Sequence, residues 1–433
     1  MQGNQSVKRY LWPIILALLP LFARAQASEV PPGTGQGLRL NGFGTVGLAR
    51  AETDFDGTFR RDISQRTGQT GVRGNWDSRL GFQANYAIND RVELVGQAVL
   101  KDRPYANGLK ESIEWAFASY RLTPDTTVRV GRTGMDLFLI SDYRNVGFAY
   151  TAARPNADFY AMLPLNGLDG ADVSHQWRLG EDLWRAKLFA GHSTYSITST
   201  YKGELSSVFG LTLSRESDGL LTRGTIARTK IDFTSSDLAA LRAGLTQVAN
   251  TVPVPSVAAE ARHMLDQGKY RDIRVTYASA AFAYDRSNWL LSGEYMRSFS
   301  DAPAMGVRAG YLTLGRRVGQ FTLHTSVSTV RSDLIASGVP QWSQSLAPLT
   351  PLLGATAIQQ IQGLGEAGAA WINSGRIEQR TISVGVRWDF DPRMALKLQW
   401  DRVKVAPVGG LIWTGKEAGG RAQVGTVVLD FLF

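Results

Sequence analysis

The sequence predicts an all-β protein: a transmembrane, antiparallel, up-and-down barrel of sixteen strands. Three observations predict it. Segments of about ten residues alternate apolar and polar positions, the period of a strand with two unlike faces. Short turns alternate with longer loops along the whole chain. The last strand runs to an aromatic at the final residue, with Val427, Leu429, Phe431 and Phe433 on one face and Thr426 and Asp430 on the other.

The chain opens with Lys8 and Arg9, an apolar run from Leu11 to Phe22, and Ala25-Gln-Ala27. A basic start, a short apolar stretch and an A-x-A site predict a secretory leader over 1–27, cleaved after Ala27. The run is too short for a spanning helix, which needs about 20 apolar residues. Charges or glycines interrupt every later apolar stretch, so residues 28–433 are expected to form the barrel.

The first strand is read over Leu38–Arg50, rich in glycine (Asn41-Gly-Phe-Gly-Thr-Val-Gly-Leu48). Strands 79–88 and 91–101 follow, joined by Asn89-Asp90, a tight-turn pair. The unit then recurs as 111–122 with 126–133, 170–179 with 183–193, and 206–215 with 219–229. Further pairs are 271–285 with 288–300, 305–316 with 319–330, and 378–390 with 393–405; 422–433 closes the count. Short turns on one side and long loops on the other place both termini in the periplasm and the long loops outside. Backbone groups in lipid find no water, so only closure leaves no unpaired edge. A barrel of sixteen strands is too wide for side chains to fill and encloses water.

Two loops carry helical patterns. In 230–270, Ser235 is placed to cap a helix with Leu238, Leu241 and Leu245 at helical spacing, and Ser256–Gln267 reads as a second. In 331–377, Leu352–Ile372 is rich in Ala and Gly and weakly helical. They are expected to pack over one another outside the barrel; the alternative is that one acts as a lid or gate.

Composition agrees with a barrel: no cysteine, 45 glycines, 11 tryptophans and 14 tyrosines. Without cysteine there is no disulfide or thiolate metal site. The net charge of +9 includes Lys8, Arg9 and Arg24 of the leader and is spread along the rest. That distribution argues against nucleic-acid binding. Four histidines are available for catalysis (His175, His192, His263 and His324), without a recognisable triad, G-x-S-x-G or H-E-x-x-H. No enzymatic activity, cofactor or metal is expected.

Strand parity assigns basic side chains to the inner face: Arg79, Lys101, Arg129, Arg178, Arg185, Lys187, Arg308, Arg387 and Lys397. A charge facing lipid at mid-depth would cost about 2–4 kcal/mol, which is the reason for pointing them inward. Tyr86, Tyr120, Trp184, Trp289, Trp388 and Trp400 read as interfacial girdles.

The glycine-rich first strand, Val128-Arg-Val-Gly-Arg132 before a long third loop, and the terminal Phe433 occur in that order within sixteen strands. In this the chain resembles the Gram-negative general porins. The resemblance implies a homotrimeric outer-membrane diffusion channel among lipid and lipopolysaccharide, passing small hydrophilic solutes and ions. It implies that Phe433 and Phe431 form the signal read by the barrel-assembly machinery. It also implies that the third loop, 134–169, folds into the lumen as a constriction bearing Asp136, Asp142, Arg144, Arg154 and Asp158, with Asp169 at its end. Inward basic residues outnumber inward acids (Glu93, Glu294, Asp389, Asp401, Asp430), so mild anion preference is expected. The alternative is a substrate-specific channel for an anion or small organic acid.

Overall fold

A computed structural model describes residues 37–65, 71–103, 109–162, 167–198, 201–414 and 419–433. The expected leader, 1–27, lies outside the described residues.

The expected barrel is present and closed. Its strands are β1 (Gly37–Thr53), β2 (Arg79–Ala87), β3 (Val92–Lys101), β4 (Ile113–Thr123), β5 (Thr126–Thr133) and β6 (Leu168–Leu179). Next come β7 (Asp182–Ser196), β8 (Lys202–Ser217), β9 (Leu220–Thr234), β10 (Ile273–Arg286) and β11 (Trp289–Ser300). The last five are β12 (Val307–Val318), β13 (Phe321–Ser332), β14 (Ile377–Asp391), β15 (Met394–Gly410) and β16 (Gly420–Leu432). Each pairs antiparallel with its neighbour in sequence, and β16 returns to β1 with Phe43 opposite Leu432 and Thr53 opposite Ala422. Half of the strands (β1, β6 to β9, β13, β15 and β16) run two to five residues further into the long loops than alternation indicated, because pairing continues there in water, where a strict apolar face is not required. Among the described residues no helix is long and apolar enough to cross a membrane.

The two faces have the polarity of a barrel in lipid. On β13 the outward Val327 is 51% exposed, whereas its neighbours Ser326 and Ser328 are each 8% exposed. Apolar outside and polar inside inverts a soluble protein, and it is stable only where the outer solvent is hydrocarbon. The short turns use left-handed backbone where the twist of a hairpin requires it, as at Ser287-Asn288 and Asp218-Gly219.

Closure depends on the glycines of β1. Phe433 exchanges two backbone hydrogen bonds with Gly42, of 2.7 and 3.0 Å. Its ring lies across Gly42 and meets Phe82 edge-on at 5.7 Å. A Cβ on Gly42 would come within 2.2 Å of that ring, and one on Gly44 within 2.2 Å of the Phe431 ring. Gly42→Val is therefore expected to swing the terminal ring off the seam and cost about 1–3 kcal/mol. A heat-modifiability gel after refolding checks it: a reduced folded band is the expected result.

One parity assignment is corrected. Arg308 does not face inward. It shares its face with Leu312 and Leu314, which are 46% and 43% exposed, while Tyr311 and Thr313 of the same strand line the interior. The stretch Ala-Gly-Tyr-Leu places an aromatic inside and a glycine outside, so its alternation misleads. Arg308 follows directly on the long-loop end of β12, where water or headgroups can solvate it. Asp169 also moves: it belongs to β6, where it pairs with Arg132 across the strands (2.6 Å), leaving the preceding loop acidic by one.

The two helical loops share one apolar core. Helices α1 (Ser236–Thr251), α2 (Pro255–Gln267) and α3 (Ala355–Ser374) pack through Leu245, Met264 and Ala369, joined by Trp342 and Leu346. Ser235 caps α1, its side chain accepting from the Leu238 N–H.

Candidate functional site

The site is built by the segment between β5 and β6, whose side chains and carbonyls bond to side chains from strands around the wall. At its start, Asp136 is buried against the β7–β9 wall: it pairs with Arg223 at 2.6 Å and Lys187 at 3.5 Å. Burial pushes its carboxyl up, but the two cations outweigh burial and hold it below the ordinary carboxylate range. Leu139 donates its N–H to Glu294 of β11 (3.2 Å), which also accepts from the Tyr160 hydroxyl (2.9 Å).

In the middle, Lys397 of β15 is fully buried. Its ammonium donates to the carbonyls of Gly147 (2.7 Å), Tyr150 (2.6 Å) and Ala152 (3.1 Å), and pairs with Asp430 at 2.9 Å. Arg387 donates to the Phe148 and Tyr150 carbonyls, Arg79 to the Asn145 carbonyl (2.6 Å), and Lys101 to the Asn145 side chain (3.1 Å). Burial pushes the Tyr150 hydroxyl up to about 12. Four basic residues assigned to the inner face thus hold loop backbone or loop amides.

At its end, Arg154 is 2% exposed, with a bidentate grip on Asp77 (2.7 and 3.0 Å) and a further bond to Asp401 at 3.0 Å. Its guanidinium lies over the Phe59 ring, 5.3 Å from the centroid. Asp158 has a different environment: it accepts from the hydroxyls of Ser328 (2.7 Å) and Thr381 (2.9 Å) and from Gln379. Burial among neutral donors pushes its carboxyl up.

The Asp158 shift fixes the sign of a pH effect. A carboxyl raised on folding binds more protons in the folded state between its unfolded and folded pKa, so stability falls as pH rises through that window. Asp158→Asn is expected to change stability by less than about 1 kcal/mol and to remove that slope. Urea unfolding at pH 4 and pH 7, monitored by tryptophan fluorescence, checks both.

The remaining predicted residues are placed as follows. Asp142 is exposed, and Arg144 lies beside it around a cavity of about 30 Å³ shared with Glu114. Arg129 forks onto Asp172 (2.7–3.1 Å) and over the Phe117 ring. Arg178 is exposed near the short-turn end of β6, on the inner-face parity of Asp172 and Ser174. Arg185 and Lys187 stand two apart on β7 beside the Asp136 cluster.

Two openings flank the segment. One, of about 260 Å³, is lined mainly by aromatic and aliphatic groups such as Ile140, Tyr143, Tyr160, Leu291 and Tyr311. The other, of about 300 Å³, is charged: Arg129, Arg185, Lys187 and Arg223 stand against Asp125, Asp136 and Asp142.

Sequence reasoning missed Arg223, and missed Asp77 as a partner. Leu220, Leu221, Ile226 and Ile231 fall on both faces of β9, so parity there gave no facing for Arg223. Asp77 sits two residues before the strand pattern begins.

Among solved structures, the chain is similar to OmpT, an outer-membrane protein of Vibrio cholerae, at 11% identity and a TM-score of 0.50, covering 94% of this chain and 100% of that one. The protein has the fold of an outer-membrane β-barrel. An anion-selective porin from Comamonas acidovorans (12% identity, TM-score 0.49, 92% and 100% covered) and OmpF of Salmonella typhi in complex with daunomycin (15%, 0.47, 92% and 98%) also align. No protein-family model matches the sequence, and no curated protein does.

Proposed function

We propose that the protein is an outer-membrane porin: a water-filled channel for passive diffusion of small hydrophilic solutes and ions, preferring anions. The observation that carries this reading is the charged opening of about 300 Å³, lined by four cations and three carboxylates. Such an arrangement sets a transverse field in a narrow aqueous passage, orienting dipolar solutes and penalising apolar ones. In this reading the segment from Gly134 narrows the lumen, and its ion pairs with the wall hold it there against thermal motion. The excess of cations raises the local concentration of anions. The reading carries with it the cleaved leader, a homotrimer, lipid and lipopolysaccharide around the barrel, and recognition of Phe433 by the assembly machinery. It assigns no catalytic role.

A second reading, a channel specific for small organic acids, is favoured by the gathering of Arg129, Arg185, Lys187 and Arg223 into one opening rather than along the whole wall. Liposome swelling separates the two. Rates that fall smoothly with solute size, for sugars and organic acids alike, support the general channel. Saturable uptake confined to carboxylates moves the assignment to the specific one, and no swelling with folded protein in the vesicles overturns both.

A further inference from the structure

The aromatic opening, on the other side of the segment between β5 and β6, has chemistry that the proposed ion pathway does not use. Ile140, Tyr143, Tyr160, Leu291 and Tyr311 stand around its volume of about 260 Å³. The Tyr160 hydroxyl donates to Glu294 at 2.9 Å and lies 3.2 Å from that of Tyr311, so these two side chains offer ring surface rather than free hydroxyls.

Charge is balanced within this opening. Arg154 is held by Asp77 and Asp401, and Asp285, near the short turns, pairs with Arg317 at 2.5 Å. Each guanidinium or carboxylate lining it thus already has an opposite charge, and nothing here selects an ion.

Polar side chains without partners gather here instead. His324 of β13, Gln379 of β14 and Trp413, between β15 and β16, line the opening and are 6%, 3% and 1% exposed. Among the described residues, both imidazole nitrogens, the Gln379 Oε1 and the Trp413 indole N–H have no hydrogen-bond partner. The buried Oδ1 of Asn156, on the inner segment, has none either. Buried polar groups are nearly always paired, and four such side chains in one opening ask for a solute that pairs them. His324 is also fitted into the wall: its ring lies across Gly385 of β14, where a Cβ would come within 2.3 Å of Nε2.

The set offers donors (the indole N–H and one imidazole nitrogen) and acceptors (two amide oxygens and the other nitrogen). Its complement is an uncharged molecule with apolar faces and both kinds of group on its rim. A sugar ring fits less well, because hydroxyls project all round it and several would stay unpaired against the aliphatic wall. A planar heteroaromatic ring fits: proteins take nucleobases by stacking them on aromatic side chains and hydrogen-bonding their edges. Sites for drug-sized ligands begin at roughly 300 Å³, so a volume below that suits a single small ring.

We propose that this opening binds a small, uncharged heteroaromatic ring of the nucleobase type, through Asn156, His324, Gln379 and Trp413. The site goes beyond the anion pathway proposed above, and its binding does not depend on the channel conducting.

The test uses the mature protein folded in neutral detergent, with folding of each variant checked by heat modifiability. Equilibrium dialysis follows labelled uracil, with glucose and benzoate as competitors. Wild type is expected to bind uracil saturably, and neither competitor to displace it at the concentration where unlabelled uracil does. His324→Phe keeps a ring over Gly385 but removes both nitrogens, and Trp413→Phe removes the indole N–H. Each is expected to weaken binding about tenfold, the loss of one buried hydrogen bond. Unchanged binding in either folded variant would overturn the proposal, as would displacement by glucose or benzoate, or no saturable binding by wild type. Uracil binding by a folded protein that does not conduct would sink the channel and leave this site standing.

Discussion

Arg154→Met is expected to release the end of the inner segment and to raise both the conductance and its noise. The guanidinium neutralises two buried carboxylates, Asp77 (1% exposed) and Asp401 (6%). Removing one partner from a buried ionic cluster costs about 3–5 kcal/mol, because the charges left behind stay desolvated. Here that penalty has an escape. If the segment lifts from the wall, water reaches both carboxylates and most of the penalty is recovered, so the barrel survives and the segment moves. Single-channel recording of the folded variant is the check, with a wider and flickering open level expected. Arg154→Lys keeps the charge but loses the fork that spans Asp77 and Asp401, and should fall between the two. A variant that unfolds the barrel outright would show that the segment is part of its core rather than a tethered insert.

Arg185→Glu is expected to shift ion preference toward cations. Arg185 lines the charged opening and takes part in none of the ion pairs that tether Asp136, so its inversion changes wall charge without breaking a tether. Two units of charge at roughly 8 Å from a passing ion in water amount to about 1 kcal/mol, opposite in sign for chloride and potassium, or about fivefold for each ion and roughly thirtyfold in their permeability ratio. The reversal potential in a potassium chloride gradient reads this directly. Salt weakens the effect, since the Debye length is about 10 Å at 0.1 M. A zero shift would mean that ions pass on the other side of the segment, beside Tyr143 and Tyr160.

The barrel was legible in the sequence because lipid imposes alternation on every strand and closure imposes an even count. Arg79, Lys101 and Lys397 could be faced inward for the same reason: a cation among outward leucines has nowhere else to go. Arg308 shows where that logic fails. Near the rim, water and headgroups accept an outward cation, and Gly310 and Tyr311 removed the contrast between faces. Partners were less legible than facing. Arg154 and Asp401 are 247 residues apart, and no local pattern joins a loop to a strand across the barrel. The carbonyls of Gly147, Tyr150 and Ala152 carry no sequence signal at all, yet they accept hydrogen bonds from the Lys397 ammonium, which Asp430 pairs with as a charge. Glycine at 147 is the one trace: a Cβ there would lie 1.9 Å from an Asp430 oxygen, so the segment can approach the wall only without a side chain.

The most direct test is conductance of the refolded mature protein in a planar bilayer with symmetric potassium chloride. Stepwise increments of uniform size, linear in salt concentration, are predicted for a water-filled passage through each barrel. Folded, inserted protein that gives no steps would contradict the account, and would mean that the segment from Gly134 seals the lumen instead of narrowing it.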